Sequence, residues 1–204
     1  INLPQSEFKK IRGNNISIIF QDPIAALNPV FKIKEQFYEV NLNKSHFTKK
    51  NSFLRAAEAL EKVSIRDPER VLESYPFQLS GGLAQRVVIT MAMINKPQLL
   101  LADEPSTALD VTIQSQILSL ILKLVDEINL SVIFITHDMS VVSEIADQVL
   151  VLKRGDLVER KTVAEIFNEP KEEYTKDLIK SVPVFGNHSQ SEKLVHEYQK
   201  DSCL

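Results

Sequence analysis

Cysteine is all but absent. The 204 residues hold one, Cys203, next to last, so an internal disulfide framework and a cysteine metal cluster are both excluded, and a reducing compartment fits. Basic excess is missing too. With 24 Lys and Arg against 27 Asp and Glu the formal net charge is −3, which supplies no bulk attraction for nucleic acid or an anionic membrane. Long apolar runs are lacking, the candidates being pieces such as "SVIFI" and "QVLVL", far short of the roughly 18 residues that cross a bilayer. Any membrane role therefore uses a partner. Glycine is scarce: Gly13, Gly81, Gly82, Gly155 and Gly186 are all there are, and none precedes a lysine. A phosphate loop of the form G-x-x-x-x-G-K-[ST] does not lie within these residues. Nothing near Ile1 has the order of a signal peptide, and the absence of an initial methionine suggests a start inside a longer frame.

What is present is an ordinary globular composition, 44% hydrophobic and 25% charged, in a chain long enough to bury a core. Short β-branched runs at 16–20, 98–102, 132–136 and 148–152 read as strands. Their continuous apolarity predicts burial on both faces, hence a parallel sheet covered by helices. Residues 31–95 carry two helical patterns, "SFLRAAEALEKV" and "GLAQRVVITMAMIN", and no convincing strand, so a helical subdomain is expected between the strands. Ile113, Ile117, Leu120, Ile121, Leu124 and Ile128 form one helical stripe, a spacing typical of core packing. Gly155 between two apolar runs marks a hairpin. "TVAE" (162–165) has the capping-box pattern. The end from Gly186 to Leu204 has little periodicity and reads as a loose tail.

Carboxylates at the end of a buried strand are costly without a cation, a donor or water. "LLLADEP" puts Asp103 and Glu104 there, where open α/β sheets bind ligands. One acid can hold a hydrated magnesium ion while the other polarises a water, a division that suits phosphoryl transfer to water; two acids capping a solvated loop is the plainer reading. "FITHD" brings His137 and Asp138 to the same edge if the strands are parallel, and "SIIFQ" brings Gln21. A lone histidine is commonly a surface or hydrogen-bonded structural residue, but beside two acids it can bind a phosphate oxygen or orient a water.

At the other end of this stretch, "LSGG" opens a helical run. Ser80 is a good N-cap, and Gly81 and Gly82 allow a ligand close to the first-turn N–H groups. The partial positive charge there, roughly half an elementary charge, is a natural phosphate site. A capped helix after a proline-containing loop is the alternative.

Taken together, "FQDP", "LSGGLAQR", "LLLADEPSTALD" and "ITHD" resemble, in order and separation, the nucleotide-binding subunit of an ATP-binding cassette transporter, from about Ser6 to Pro183. The resemblance implies an α/β, P-loop NTPase-like parallel sheet flanked by helices, with an inserted helical subdomain at about 31–95, a partial cassette over 1–183 and a tail over 184–204. It implies ATP and Mg2+ as cofactors. By position Gln21 looks like the glutamine that senses magnesium and the membrane subunit, and Ser80, Gly81, Gly82 and Gln85 like the signature that reaches the partner's ATP. Asp103 looks like the magnesium-holding acid, Glu104 the general base, Asp110 the acid of the loop between subunits, and His137 the switch histidine. Implied partners are a second ATPase subunit, identical or related, transmembrane permease subunits and, indirectly, an extracellular binding protein; no nucleic acid is implied, and the location is the cytoplasmic face of the cell membrane.

"IRGNNISIIFQDPIAALNPVFKIKEQ" and "AEIFNEPKEEYTKDLIKSVP" further resemble the importers of peptides, nickel and metal chelates. Departures fall at Phe77, where a histidine is common, and at Leu83 and Ala84. One cysteine cannot supply the iron-sulfur tail that some members carry. The resemblance puts the family's phosphate loop before Gln21, outside these residues. The expectation is a site of its own that is incomplete, a signature still able to complete a partner's, exposed apolar sheet surface, and marginal stability as an isolated fragment. A cassette ATPase of DNA repair or translation and a non-catalytic truncated relative remain alternatives.

Overall fold

A computed structural model describes residues 3–41, 48–106 and 109–181. The chain forms two compact units, residues 1–135 and 136–204. In chain order the first holds α1 (Gln5–Ile11), β1 (Ile16–Ile19), α2 (Pro23–Ala26), α3 (Ile33–Asn41), α4 (Lys49–Lys62), α5 (Pro68–Glu73), a single 3-10 turn (Pro76–Gln78), α6 (Gly81–Met93), β2 (Leu99–Asp103), α7 (Val111–Ile128) and β3 (Ser131–Ile135). The second holds α8 (Met139–Ile145), β4 (Gln148–Lys153), β5 (Asp156–Thr162), α9 (Val163–Asn168) and α10 (Glu173–Lys180). The expected tail over 184–204 lies outside the described residues.

Helix starts follow side-chain chemistry. Asp22, Asp67 and Asp110 each accept backbone N–H bonds at the N-caps of α2, α5 and α7, and Thr48 does so for α4, replacing partners that the first turn lacks. Prolines follow Asp22 and Asp67 at the first helical position, where a missing N–H costs nothing. α7 ends at Asn129, which takes the left-handed conformation, φ +51°.

β1, β2 and β3 form a parallel sheet in the order β1-β2-β3, with Ile18 paired to Leu101 and Leu101 to Ile133. Helices α2 to α6 all fall between β1 and β2, and no strand lies among the described residues there, as the helical-subdomain reading expects. Ile19, Phe37, Leu60, Leu72, Ile89 and Leu100 are fully buried in one core. The α7 stripe joins it through Ile117, Leu120 and Ile121, with Ile113, Leu124 and Ile128 packed at its margin.

Two expectations fail. The three strands are not buried on both faces: Ser17, Ile19, Leu100 and Ala102 are, whereas Ile18, Ile133 and Ile135 are 42%, 52% and 51% exposed. Apolar sheet surface is thus exposed on one side, as the resemblance, which puts the family's phosphate loop outside these residues, leads one to expect. The fourth strand also does not join this sheet. β4 pairs antiparallel with β5 in a separate hairpin, because Arg154 and Gly155, at φ +54° and +93°, form the two-residue turn with both φ positive that matches strand twist.

In the second unit Val149 and Val151 turn inward against Met139 and Ile166. Thr162 and Glu165 form the expected capping box at α9. Glu159, also on the inner face, is buried. Its carboxylate accepts the N–H groups of Lys171 and Glu172 and pairs with the Lys161 ammonium. The Lys171 N–H, chief among these contacts, helps pull the carboxyl from its ordinary 4.5 down to about 2.

Candidate functional site

The carboxyl edge of the three-stranded sheet collects what the sequence placed at strand ends. Asp103 is the last residue of β2, paired with Ile135 of β3, and is half-buried. Glu104 follows it and leaves the strand in the left-handed conformation, φ +43°. Its N–H still donates to the Ile135 carbonyl at 2.9 Å, carrying the ladder one residue further. Across β2 on the other side, Gln21 lies two residues beyond β1, and its Nε2 donates to Glu104 Oε2 at 2.8 Å. Two residues 83 positions apart thus meet.

Asp22, to which sequence reasoning gave no role, fixes this loop. Its Oδ1 accepts the N–H groups of Ile24 and Ala25 at 2.9 and 3.1 Å, so the backbone just past Gln21 is pinned by α2. An Asp-Pro pair is a helix-start signal, and "FQDP" carried it.

The oxygen donors at this edge are those a magnesium ion takes: the carboxylate of Asp103 and the amide oxygen of Gln21, with remaining positions left to phosphate and water. Among the described residues no group of three or more His, Cys, Asp or Glu could hold a metal by itself. His137 is exposed and belongs to the second unit; Asp138 beside it caps α8 by accepting the Ser140 N–H at 2.9 Å.

At the glycine end Ser80 occupies the N-cap of α6 with extended backbone, but its side chain makes no capping bond. The first-turn N–H groups are left for another acceptor. Gly81 and Gly82 are the first two residues of α6, and they differ. A Cβ on Gly81 would meet Leu109 Cδ2 at 3.5 Å, an ordinary contact, whereas one on Gly82 would meet Ile113 Cγ2 at 3.0 Å. Gly82 thus serves the packing of α6 on α7, a role that local sequence does not reveal. The same contacts bring the start of α6 beside residues 109–113, where Asp110 accepts the Ile113 N–H at 3.0 Å. Asp110 is a helix cap in this structure. Gln85 does not face outward: it is 1% exposed, and its Nε2 has no hydrogen-bond partner. Its side chain is turned into the interior of this unit.

Comparison with known proteins decides the family. Residues 2–107 match the family model described as ABC transporter. The chain belongs to the ABC transporter family. It is 47% identical over 180 residues to the oligopeptide transport ATP-binding protein AppD of Bacillus subtilis (strain 168), covering 88% of this chain and 55% of that protein. It is 46% identical over 181 residues to the glutathione import ATP-binding protein GsiA of Escherichia coli (strain K12), covering 89% of this chain and 29% of the other. This ABC chain spans about half the length of the first of these and less of the second. Among solved structures, the dimeric post-hydrolysis state of the ATP-binding cassette MJ0796 bound to ADP and Pi superposes with a TM-score of 0.69 at 31% identity, over 79% of this chain and 68% of that one. The cassette cbiO1 from Clostridium perfringens, part of the cbiONQ complex, gives the same TM-score at 27% identity, covering 83% and 65%. The α/β cassette fold expected from the motifs is the fold found. No helix among the described residues is long and apolar enough to cross a membrane.

Proposed function

We propose that this chain is part of the ATP-hydrolysing subunit that energises import of peptides across the cytoplasmic membrane, acting on the cytoplasmic face with permease subunits and a second ATPase subunit. The observation that carries the reading is the 2.8 Å bond from Gln21 to Glu104 at the carboxyl edge of a parallel sheet, in a chain of this family whose relatives are named for oligopeptide transport and glutathione import. Those names favour a peptide or peptide-like cargo over nickel or a metal chelate. An external binding protein would deliver it.

In this reading Asp103 and Gln21 supply oxygen ligands for Mg2+, and Glu104 is the general base that takes a proton from the attacking water. A bound Mg2+ would neutralise charge on the phosphates and orient them. His137 would orient a phosphate oxygen or the water. Ser80, Gly81 and Gly82 offer free N–H groups and a helix N-terminus to the nucleotide of the other subunit. Asp110, spent on capping α7, would act in the dimer through the loop it fixes.

The test uses the subunit in its assembled transporter, reconstituted in vesicles, with ATP-driven uptake of a labelled pentapeptide, glutathione and nickel compared side by side. Peptide or glutathione uptake abolished by Glu104→Gln is expected. Uptake of nickel alone, hydrolysis indifferent to Glu104→Gln, or isolation of the subunit on DNA or ribosomes instead of with a permease would overturn the reading.

A further inference from the structure

Helices α5 and α6 border an open trough that the sheet edge does not use. Across α5 and its flanking residues, Asp67, Arg70, Val71 and Ser74 fall at i, i+3, i+4 and i+7, one face of a helix; leading into α6, Leu79, Leu83 and Arg86 do the same. The two faces line a cavity of about 530 Å3 toward Ser80 and one of about 290 Å3 toward Ser64, and Arg70, Val71 and Leu83 border both, so the two are one trough. Its middle is apolar: Val71 is buried, and Leu79 and Leu83 are half-buried. Its rim is cationic. Arg66 and Arg70 are exposed, and Arg86 is held by bonds from its guanidinium to the Val63 carbonyl and to Gln116 Oε1, each 2.8 Å. Those bonds use two of the five N–H groups that a guanidinium has. The acid on the rim, Asp67, is engaged in capping α5 through the Arg70 N–H, and Glu73, on another side of α5, is paired with Lys32 and Lys34. Gln78 gives its oxygen to the Tyr75 N–H, which leaves its NH2 group as a donor at the Ser80 end. Three guanidinium groups thus share a rim with one engaged carboxylate, in a chain whose net charge is −3.

We propose that this trough is a docking surface for an acidic segment of a partner protein, taken up as extended chain with an apolar side chain between two carboxylates. The excess of cationic donors calls for anions, and the apolar middle gains from hydrocarbon laid over it. From Ser80 to Arg86 α6 rises about 9 Å at 1.5 Å per residue, and the arginine side chains lengthen the reach. Alternate side chains of an extended chain share a face at about 3.3 Å per residue, so the sequence acid–x–leucine–x–acid spreads its three facing side chains over about 13 Å. A small molecule is usually enclosed by its site; a trough open along Arg66, Arg70 and Gln78 covers one side of its occupant, which suits a polypeptide. A nucleic acid strand fits less well, because no aromatic side chain among the described residues lines the trough to stack a base.

The experiment titrates the 204-residue chain into a fluorescein-labelled peptide, Glu-Glu-Ser-Leu-Ser-Glu-Glu, and follows anisotropy at about 0.05 M salt, where surface charge is little screened. Saturable binding is expected. Reversing two rim charges together, Arg66→Glu with Arg70→Glu, should weaken it about tenfold, since each attraction becomes a repulsion. Serine in place of the peptide's leucine should weaken it about threefold, and a peptide with lysine in place of glutamate should not bind. No change of anisotropy, equal binding of the lysine peptide, an affinity unaltered by the double reversal, or a thymidine heptanucleotide that displaces the acidic peptide and binds more tightly would each overturn the proposal. Both arginines are exposed, so the double variant should fold. Should it not, the amide shifts of the native chain on adding the acidic peptide replace it: changes centred on residues 64–86 support the docking surface, and changes centred elsewhere refute it. No hydrolysis or uptake enters these measurements, so their failure is distinct from failure of the transport reading.

Discussion

The two faces of the three-stranded sheet are made of the same kind of residue and live in different surroundings. On one face Ile19, Leu100 and Ala102 are 0% exposed. On the other, Ile18, Ile133 and Ile135 stand between 42% and 52% exposed, with Phe20 just beyond β1 at 50%. Apolar composition therefore tells which surface gains from being covered, at about 25 cal/mol per Å2, and says nothing of whether it is. The hairpin of the second unit repeats the contrast, Val149 and Val151 inward, Leu150, Leu152 and Leu157 outward at 54% to 61% exposed.

The sharpest break of this comparison is a truncation on each face. Leu100→Ala empties a fully buried site on the central strand and should cost about 2–5 kcal/mol, enough to unfold a domain with the usual margin of 5–15 kcal/mol or bring it near that point. Ile133→Ala, one residue from Val132, the β3 partner of Leu100, but on the open face, should cost under about 1 kcal/mol. Urea titration followed by far-UV circular dichroism measures both. Equal costs would mean that the open face is covered in solution.

A second test uses acid on the covered face of the hairpin. Glu159 lies there beside Val151, its register partner, with its carboxyl held at about 2 instead of 4.5, first by the Lys171 N–H. A depressed folded-state value means stabilisation that is complete above the unfolded value and lost as the pH falls through the folded one. The second unit should therefore lose stability between pH 4.5 and about 2, and Glu159→Gln should flatten that slope while lowering stability at pH 7. Hydrogen exchange of β4 and β5 amides against pH reads it. A slope unchanged in Glu159→Gln would assign the acid sensitivity to another group.

Much of this was legible in residues alone, and the reasons for the rest are physical. Strands β1 to β4 are legible within a residue of their ends because β-branched runs are local signals, and the capping box and hairpin turn because their chemistry spans four residues or fewer. The one-sided burial was hidden since a strand apolar on both faces carries no alternation to read. The assignment of β4 to the parallel sheet failed because a short apolar run does not state its partner, although the Arg154-Gly155 turn beside it pointed to β5. The Asp110 cap is a local signal, an acid just ahead of the α7 stripe. Gln21 and Glu104 meet across 83 positions, and Gln85 turns inward by the angular position it takes on α6; neither follows from spacing.

The third test compares the two glycines that open α6. Gly82→Ala sets a Cβ 3.0 Å from Ile113 Cγ2, and the strain, shared with a side chain that can yield, should cost about 1 kcal/mol. Shortening the obstacle in the Gly82→Ala, Ile113→Ala pair should give back that strain, a non-additive result visible in a double-mutant cycle. Gly81→Ala has ordinary room and gains helix propensity, so its effect on the midpoint should be nil or slightly stabilising, while its added methyl still stands at the N-terminus offered to a nucleotide.

The smallest effect belongs to the open face. Ile133→Thr keeps β-branching and strand propensity and removes apolar surface that is already half in water. Folding stability should move by no more than about 0.5 kcal/mol. Self-association should change far more, because contiguous exposed apolar surface is what drives contact between copies. Sedimentation velocity at rising concentration would show a shift toward the monomer with the unfolding midpoint unmoved. If both quantities stayed the same, the exposed face would not be what holds copies together; if both fell, Ile133 would be working as a core residue and the two faces of the sheet would be less different than their exposure says.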